Sequence, residues 1–152
     1  MAGRLQVPHS LNGLKNKYSV EQKLHPQVWA GRARWNLSSP EQMHLPFPGR
    51  FSNSLPRERV VLKYAPKMSH LKREKAILQQ FAGNVYIRQL VDYGASAPFL
   101  VLEYLDADAL QMSQRRRLPK QEVKLIARSV LSALDSLHAR GIAHTGNEIH
   151  VY

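Results

Sequence analysis

The stretch from Trp35 to Glu58 constrains this chain more than any other, because Pro40, Pro46, Pro48 and Pro56 fall within it among serines and other polar residues. Each proline fixes φ and removes a backbone donor, so neither a helix nor a central strand can run through the segment. It reads as a long loop, and it divides the sequence into a short part before it and a longer part after it. A structureless loop of this length inside a compact domain marks an insertion or a divergent fold.

On either side the residues group by period. Tyr18–Arg34 reads as two short strands, carrying Tyr18, Val20 and Leu24, then Val28, Trp29 and Ala33. Arg59–Tyr64 holds Val60, Val61 and Leu62 around Lys63 and reads as a buried strand ended by Pro66. His70–Phe81 places Leu71, Ile77, Leu78 and Phe81 near helical spacing, and Gly83 and Asn84 close it. Val85–Val91 and Pro98–Glu103 read as an antiparallel pair around a turn at Asp92–Ala97. The last element is a long helix: Pro119 sits at its start, Val123, Ile126, Val130, Leu134 and Leu137 follow at steps of three and four, and Gly141 stops it. The predicted class is α+β, a mostly antiparallel five-stranded sheet with one helix packed on it, followed by a long helix.

Composition narrows the function classes. With 43% apolar residues the chain can bury a core, and with no cysteine it can form neither a disulfide nor a thiolate metal site. No apolar run reaches the ~18–20 residues that span a bilayer, and the basic lead-in from Met1 has no apolar stretch of the signal-peptide kind. These features predict an intracellular protein, cytoplasmic or nuclear. The net charge of +11 and the run Arg115-Arg116-Arg117 raise nucleic acid as a partner. No helix-turn-helix signature, zinc spacing or interleaved aromatic-basic repeat supports that class, and three arginines before a helix are more often a solvated run.

Three segments in this order resemble the protein-kinase superfamily, serine/threonine type, from its first strand to its catalytic loop. Val60-Val61-Leu62-Lys63 is similar to the family's V-A-I-K strand, with Glu74 in Arg73-Glu74-Lys75-Ala76-Ile77-Leu78 matching the helix glutamate that holds that lysine. Taken alone, the two residues read more readily as a surface lysine and a solvated glutamate than as a pair; the context favours an ion pair. Pro98-Phe99-Leu100-Val101-Leu102-Glu103-Tyr104-Leu105 is similar to the family's fifth strand and hinge, with Leu102 at the gatekeeper position. Leu134-Asp135-Ser136-Leu137-His138-Ala139-Arg140-Gly141-Ile142-Ala143-His144 resembles the end of the long helix of the C-terminal lobe and the entry to the catalytic loop.

The resemblance implies a kinase-like N-lobe and hinge over 18–105, carrying the 35–58 loop as an insertion. A basic extension precedes it over 1–17, and a linker, long helix and incomplete catalytic loop follow over 106–152. It implies that ATP contacts Lys63, Glu74, Val28, Val61, Leu102, Glu103 and Leu105, the last two through main-chain groups. It also shows departures. Between Leu24 and Val28 stand only His25, Pro26 and Gln27, with no glycine to cradle phosphates. The catalytic aspartate position is Gly146, Asn147 stands one residue beyond it, and the sequence given reaches Tyr152 without D-F-G. The expectation is a catalytically inactive chain that binds ATP weakly, holds no Mg²⁺ of its own and has no protein-ligated metal.

Two other readings remain at this level. The apolar stripe of the long helix suits a non-catalytic interaction module, with a protein partner or a second copy on that face. The abrupt departure after His144 also fits a shortened or misread coding sequence.

Overall fold

A computed structural model describes residues 8–34, 59–94 and 96–144. The Trp35–Glu58 loop, Gly146 and Asn147 lie outside the described residues. The chain divides into two compact units, with the boundary between Tyr104 and Leu105. Each unit folds around its own local pattern.

Among the described residues, the first unit holds six strands and a helix: β1 (Ser10–Asn12), β2 (Lys17–His25), β3 (Val28–Arg34), β4 (Arg59–Tyr64), α1 (Met68–Gln80), β5 (Leu90–Tyr93) and β6 (Phe99–Glu103). The strands form one antiparallel sheet in the order β1-β2-β3-β4-β6-β5. The expected five strands are therefore six. The additional one, β1, lies in the segment expected to be a basic extension; it has a single core residue, Leu11, and too little length to show a period.

The run Val60-Val61-Leu62 is apolar throughout because β4 is covered on both faces. Val60 and Leu62 join Tyr18, Trp29, Phe99 and Val101 on the inner face of the curled sheet. Val61 joins Ala65, Leu71, Leu100 and Leu102 on the face beneath α1. Strand β6 alternates in step, so all five of its residues are buried. Full burial of one such Val, Leu or Phe side chain is worth ~1.5–3 kcal/mol, so β4 and β6 form the backbone of the core.

The sheet curls until its two ends meet. Gly13, after β1, bridges Gly94, after β5, and the Leu14 N–H donates to the Tyr93 carbonyl at 2.9 Å. A Cβ on Gly13 would collide with the Asp92 carboxylate and the Tyr18 ring, so the close approach requires glycine there. Closing the ends of the sheet on each other pairs edge groups that would otherwise be left open.

Helix α1 presents Leu71, Glu74, Lys75 and Leu78, at steps of three and four, as its less exposed stripe. After it, the predicted strand over Val85–Val91 is corrected: strand pairing begins only at Leu90, and turns occupy the chain before it. Gln89 is the physical reason. Its side-chain amide accepts from the Gly83 N–H at 2.8 Å and donates to the carbonyls of Asn84 at 2.7 Å, Ile87 and Phe81. One buried amide thus satisfies backbone groups that a ladder would otherwise take.

The second unit contains α2 (Ala109–Arg115) and α3 (Lys120–His138). Helix α2 lies in what reads as linker; Asp108 caps it, its Oδ1 accepting from the Gln111 N–H at 2.6 Å. Arg116 bonds both carboxylate oxygens of Glu122, in the first turn of α3, at 2.8 and 2.9 Å. Gly141, at φ 68°, ends α3 as its position predicts. Its N–H donates to the His138 carbonyl at 2.9 Å and that of Ile142 to the Leu137 carbonyl at 3.0 Å. Among the described residues no helix is long and apolar enough to cross a membrane.

Candidate functional site: the Lys63–Glu74 pair

Register places Lys63 on the α1 face of the sheet, opposite Val28 on one neighbouring strand and Leu100 on the other. From Leu71, three residues bring Glu74 round to the same side of α1. The two side chains meet: Lys63 Nζ lies 2.9 Å from Glu74 Oε1 and 2.8 Å from Oε2. Both are about one-third exposed, 34% and 30%, so the ammonium remains open to an anion from solvent while the glutamate fixes its direction.

The other residues singled out from the sequence distribute as follows. Val28 is half-buried against the core beneath α1, where Val61 and Leu102 stand opposite each other in the ladder and are buried. Glu103 follows on β6 with its side chain buried and accepting weakly from the Gln89 N–H at 3.4 Å. Leu105 opens the second unit and is exposed. The structure therefore gathers Val28, Val61, Lys63, Glu74 and Leu102 on one side of the sheet.

Two features bear on how well an adenine nucleotide fits these residues. The main chain of Glu103 is already engaged. Its N–H donates to the Gln89 carbonyl at 3.0 Å, and its carbonyl accepts from Arg88 Nε at 2.8 Å. Arg88 was not singled out from the sequence. Burial lowers its pKa from the ordinary guanidinium value, against the charges of Glu103 and Glu74, which raise it. Arg88 thus adds a second cation to the surroundings of Glu74. The other feature is the link from β2 to β3, where His25 pairs with Val28 across a two-residue turn at Pro26–Gln27. Proline has no N–H, so this turn has Gln27 alone to offer a donor. The fit to a nucleotide is partial: a directed cation is present and a backbone phosphate cradle is absent from this turn.

Tyr18, expected in a strand, and Asp92, expected in the turn after β5 but lying within that strand, are not candidate site residues by sequence; together they organise the opposite end of the sheet. Asp92 is buried and accepts from the backbone N–H groups of Leu14, Lys15, Asn16 and Tyr93 and from the Tyr18 hydroxyl. The available signal was an aspartate set between Val91 and Tyr93, since an acid in an apolar strand requires donors. Comparison with protein-family models, curated proteins and solved structures found no match.

Proposed function

We propose that this chain is a kinase-like module that binds an adenine nucleotide weakly and does not transfer its phosphoryl group. The observation that carries the reading is the ion pair between Lys63 on β4 and Glu74 on α1, in which a strand lysine is aimed by a helix carboxylate. In the resemblance such a lysine holds the α- and β-phosphates of ATP. Weak binding follows from the short Pro26–Gln27 turn and from the engagement of the Glu103 carbonyl by Arg88. Absence of transfer follows from Gly146 at the position of the catalytic aspartate, since glycine has no side chain to accept the substrate hydroxyl's proton.

Thermal-shift titration with ATP, with and without Mg²⁺, beside Lys63→Ala tests the reading. A rise in melting temperature that saturates with ATP and disappears in Lys63→Ala supports it. A folded protein whose melting temperature ATP leaves unchanged refutes it.

A second reading, a non-catalytic interaction module, draws on the exposure of Val123, Leu125, Val130 and Leu131 along α3. Sedimentation velocity over a concentration series separates the two: self-association lost in Leu125→Lys/Leu131→Lys supports the module, whereas a monomer at every concentration removes the evidence for self-association.

A further inference from the structure

The outer face of the sheet carries a ladder of cations that the proposed nucleotide site does not use. Lys17 on β2 lies directly opposite Arg34 on β3, and Arg32 on β3 lies directly opposite Arg59 on β4. Tyr18 and Ala33 belong to the inner core, so their neighbours Lys17, Arg32 and Arg34 project to the other face, and all four cations are exposed. Among the described residues, helix α1 packs on β5 and β6 and not over these cations.

Like charges directly opposite each other destabilise a sheet. Two such pairs on neighbouring rungs put charge where folding disfavours it. The surroundings relieve only half of the ladder. Arg32 Nε donates to Glu21 Oε1 at 2.7 Å, and the Arg59 guanidinium lies over the Tyr104 ring at 4.1 Å. Among the described residues Lys17 and Arg34 have no carboxylate.

We propose that the Lys17–Arg34 and Arg32–Arg59 ladder is a docking surface for an extended acidic segment of a partner protein. The occupant is argued from a carboxylate already seated there, that of Glu21 on Arg32, and from charge complementarity. Arg32 and Arg34 are two residues apart on one strand, about 6.6 Å. Acidic side chains at alternate positions of an extended peptide repeat at the same distance, so one carboxylate faces the Arg34 guanidinium while the next takes the place of Glu21 on Arg32. Single-stranded nucleic acid is the poorer match, because it needs aromatic faces on which bases stack, and among the described residues the ring at this ladder, Tyr104, is covered by Arg59.

Fluorescence anisotropy of the whole chain with a labelled twelve-residue alternating Glu-Thr peptide tests this, beside an oligonucleotide and phosphatidylserine vesicles. The comparison is between Lys17→Thr/Arg34→Thr and a control that removes equal charge elsewhere, Lys120→Thr/Lys124→Thr. The expected result is peptide binding at low salt that the ladder variant weakens at least tenfold and the control changes less than threefold. The ladder variant is also expected to melt at a higher temperature, because the opposed charges are gone. No peptide binding, or equal weakening by both variants, overturns the proposal. Tighter, ladder-dependent binding of the oligonucleotide or the vesicles overturns the choice of an acidic peptide.

Discussion

The Tyr18 hydroxyl donates a 2.8 Å hydrogen bond to Asp92 Oδ2, tying the second strand to the far edge of the same sheet, 74 residues away in the chain. Asp92 Oδ2 also accepts from the N–H groups of Lys15 at 3.0 Å and Asn16 at 3.2 Å, and Oδ1 from those of Tyr93 at 2.8 Å and Leu14 at 3.2 Å. A buried carboxylate is costly without donors, and here each oxygen has at least two. The same bonds hold the turn between β1 and β2 against β5. The Asp92 side chain thus reinforces the closure that the Gly13–Gly94 bridge and the Leu14–Tyr93 backbone bond make.

Replacing Asp92 by Ala strands the Tyr18 hydroxyl and several backbone donors, and the expected cost is about 3 kcal/mol or more. Tyr18→Phe removes one donor of five and is expected to cost about 1 kcal/mol. Urea unfolding midpoints read both. Equal, small losses for the two variants contradict the ordering.

Alkaline pH acts through the same pair. Burial, then the charge of Asp92, raises the Tyr18 phenol well above its ordinary pKa. In the unfolded chain this phenol ionises near pH 10, while the folded chain keeps it protonated to higher pH. Its contribution is thus complete below about pH 10 and is lost as pH rises beyond it. Stability should fall more steeply above pH 10 in the natural sequence than in Tyr18→Phe, as measured by unfolding at several alkaline pH values.

The Lys63–Glu74 pair is directional rather than strongly stabilising. At about one-third exposure, solvent screens it, and Glu74→Gln is expected to lower stability by no more than about 1 kcal/mol. The effect on ATP binding is expected to be larger, because Lys63 then loses the partner that aims it. Thermal unfolding with and without ATP separates the two effects.

Gln89→Leu keeps the volume and removes the amide that satisfies Gly83, Asn84, Ile87 and Phe81. The expected loss is about 2–3 kcal/mol. Hydrogen exchange should quicken first at Gly83 and its neighbours, with the strands β4 and β6 following only on global unfolding.

Gly141→Ala isolates a backbone effect, because an added Cβ meets nothing within 4 Å among the described residues while φ is 68°. The expected cost is about 1 kcal/mol, confined to the C-terminal end of α3. Circular dichroism and unfolding measurements together check it.

Local patterns made several elements legible. The apolar run at β4, the Pro98–Glu103 strand, the α1 stripe and the stop at Gly141 each follow from neighbours within a few residues. Other elements escaped for equally physical reasons. Strand β1 has one core residue and draws its order from β2 and Asp92. The turns before β5 look apolar, Val85, Tyr86 and Ile87, yet Gln89 captures the carbonyls of Asn84 and Ile87, and the Asn84 side chain accepts from the Tyr86 N–H. Helix α2 is too short for a period and is announced only by its cap, Asp108. Local pattern placed Lys63 in a strand and Glu74 on the following helix, and only the resemblance to the kinase family made them a candidate pair; Arg88 on the Glu103 carbonyl had no sequence signal.

By itself, the sequence determined that Lys63 would stand in a buried strand, that Glu74 would stand on the next helix, and that the turn at Pro26–Gln27 could not cradle phosphates. Those are consequences of periodicity, proline geometry and missing glycine. Tertiary structure alone decided that the two charges meet at 2.8 Å, that Arg88 takes the Glu103 carbonyl, and that Asp92 reinforces the closure of the sheet on itself. Local steric preference acts over a few residues. Register and curl bring together groups that the chain separates by tens of residues, and no local pattern records that meeting.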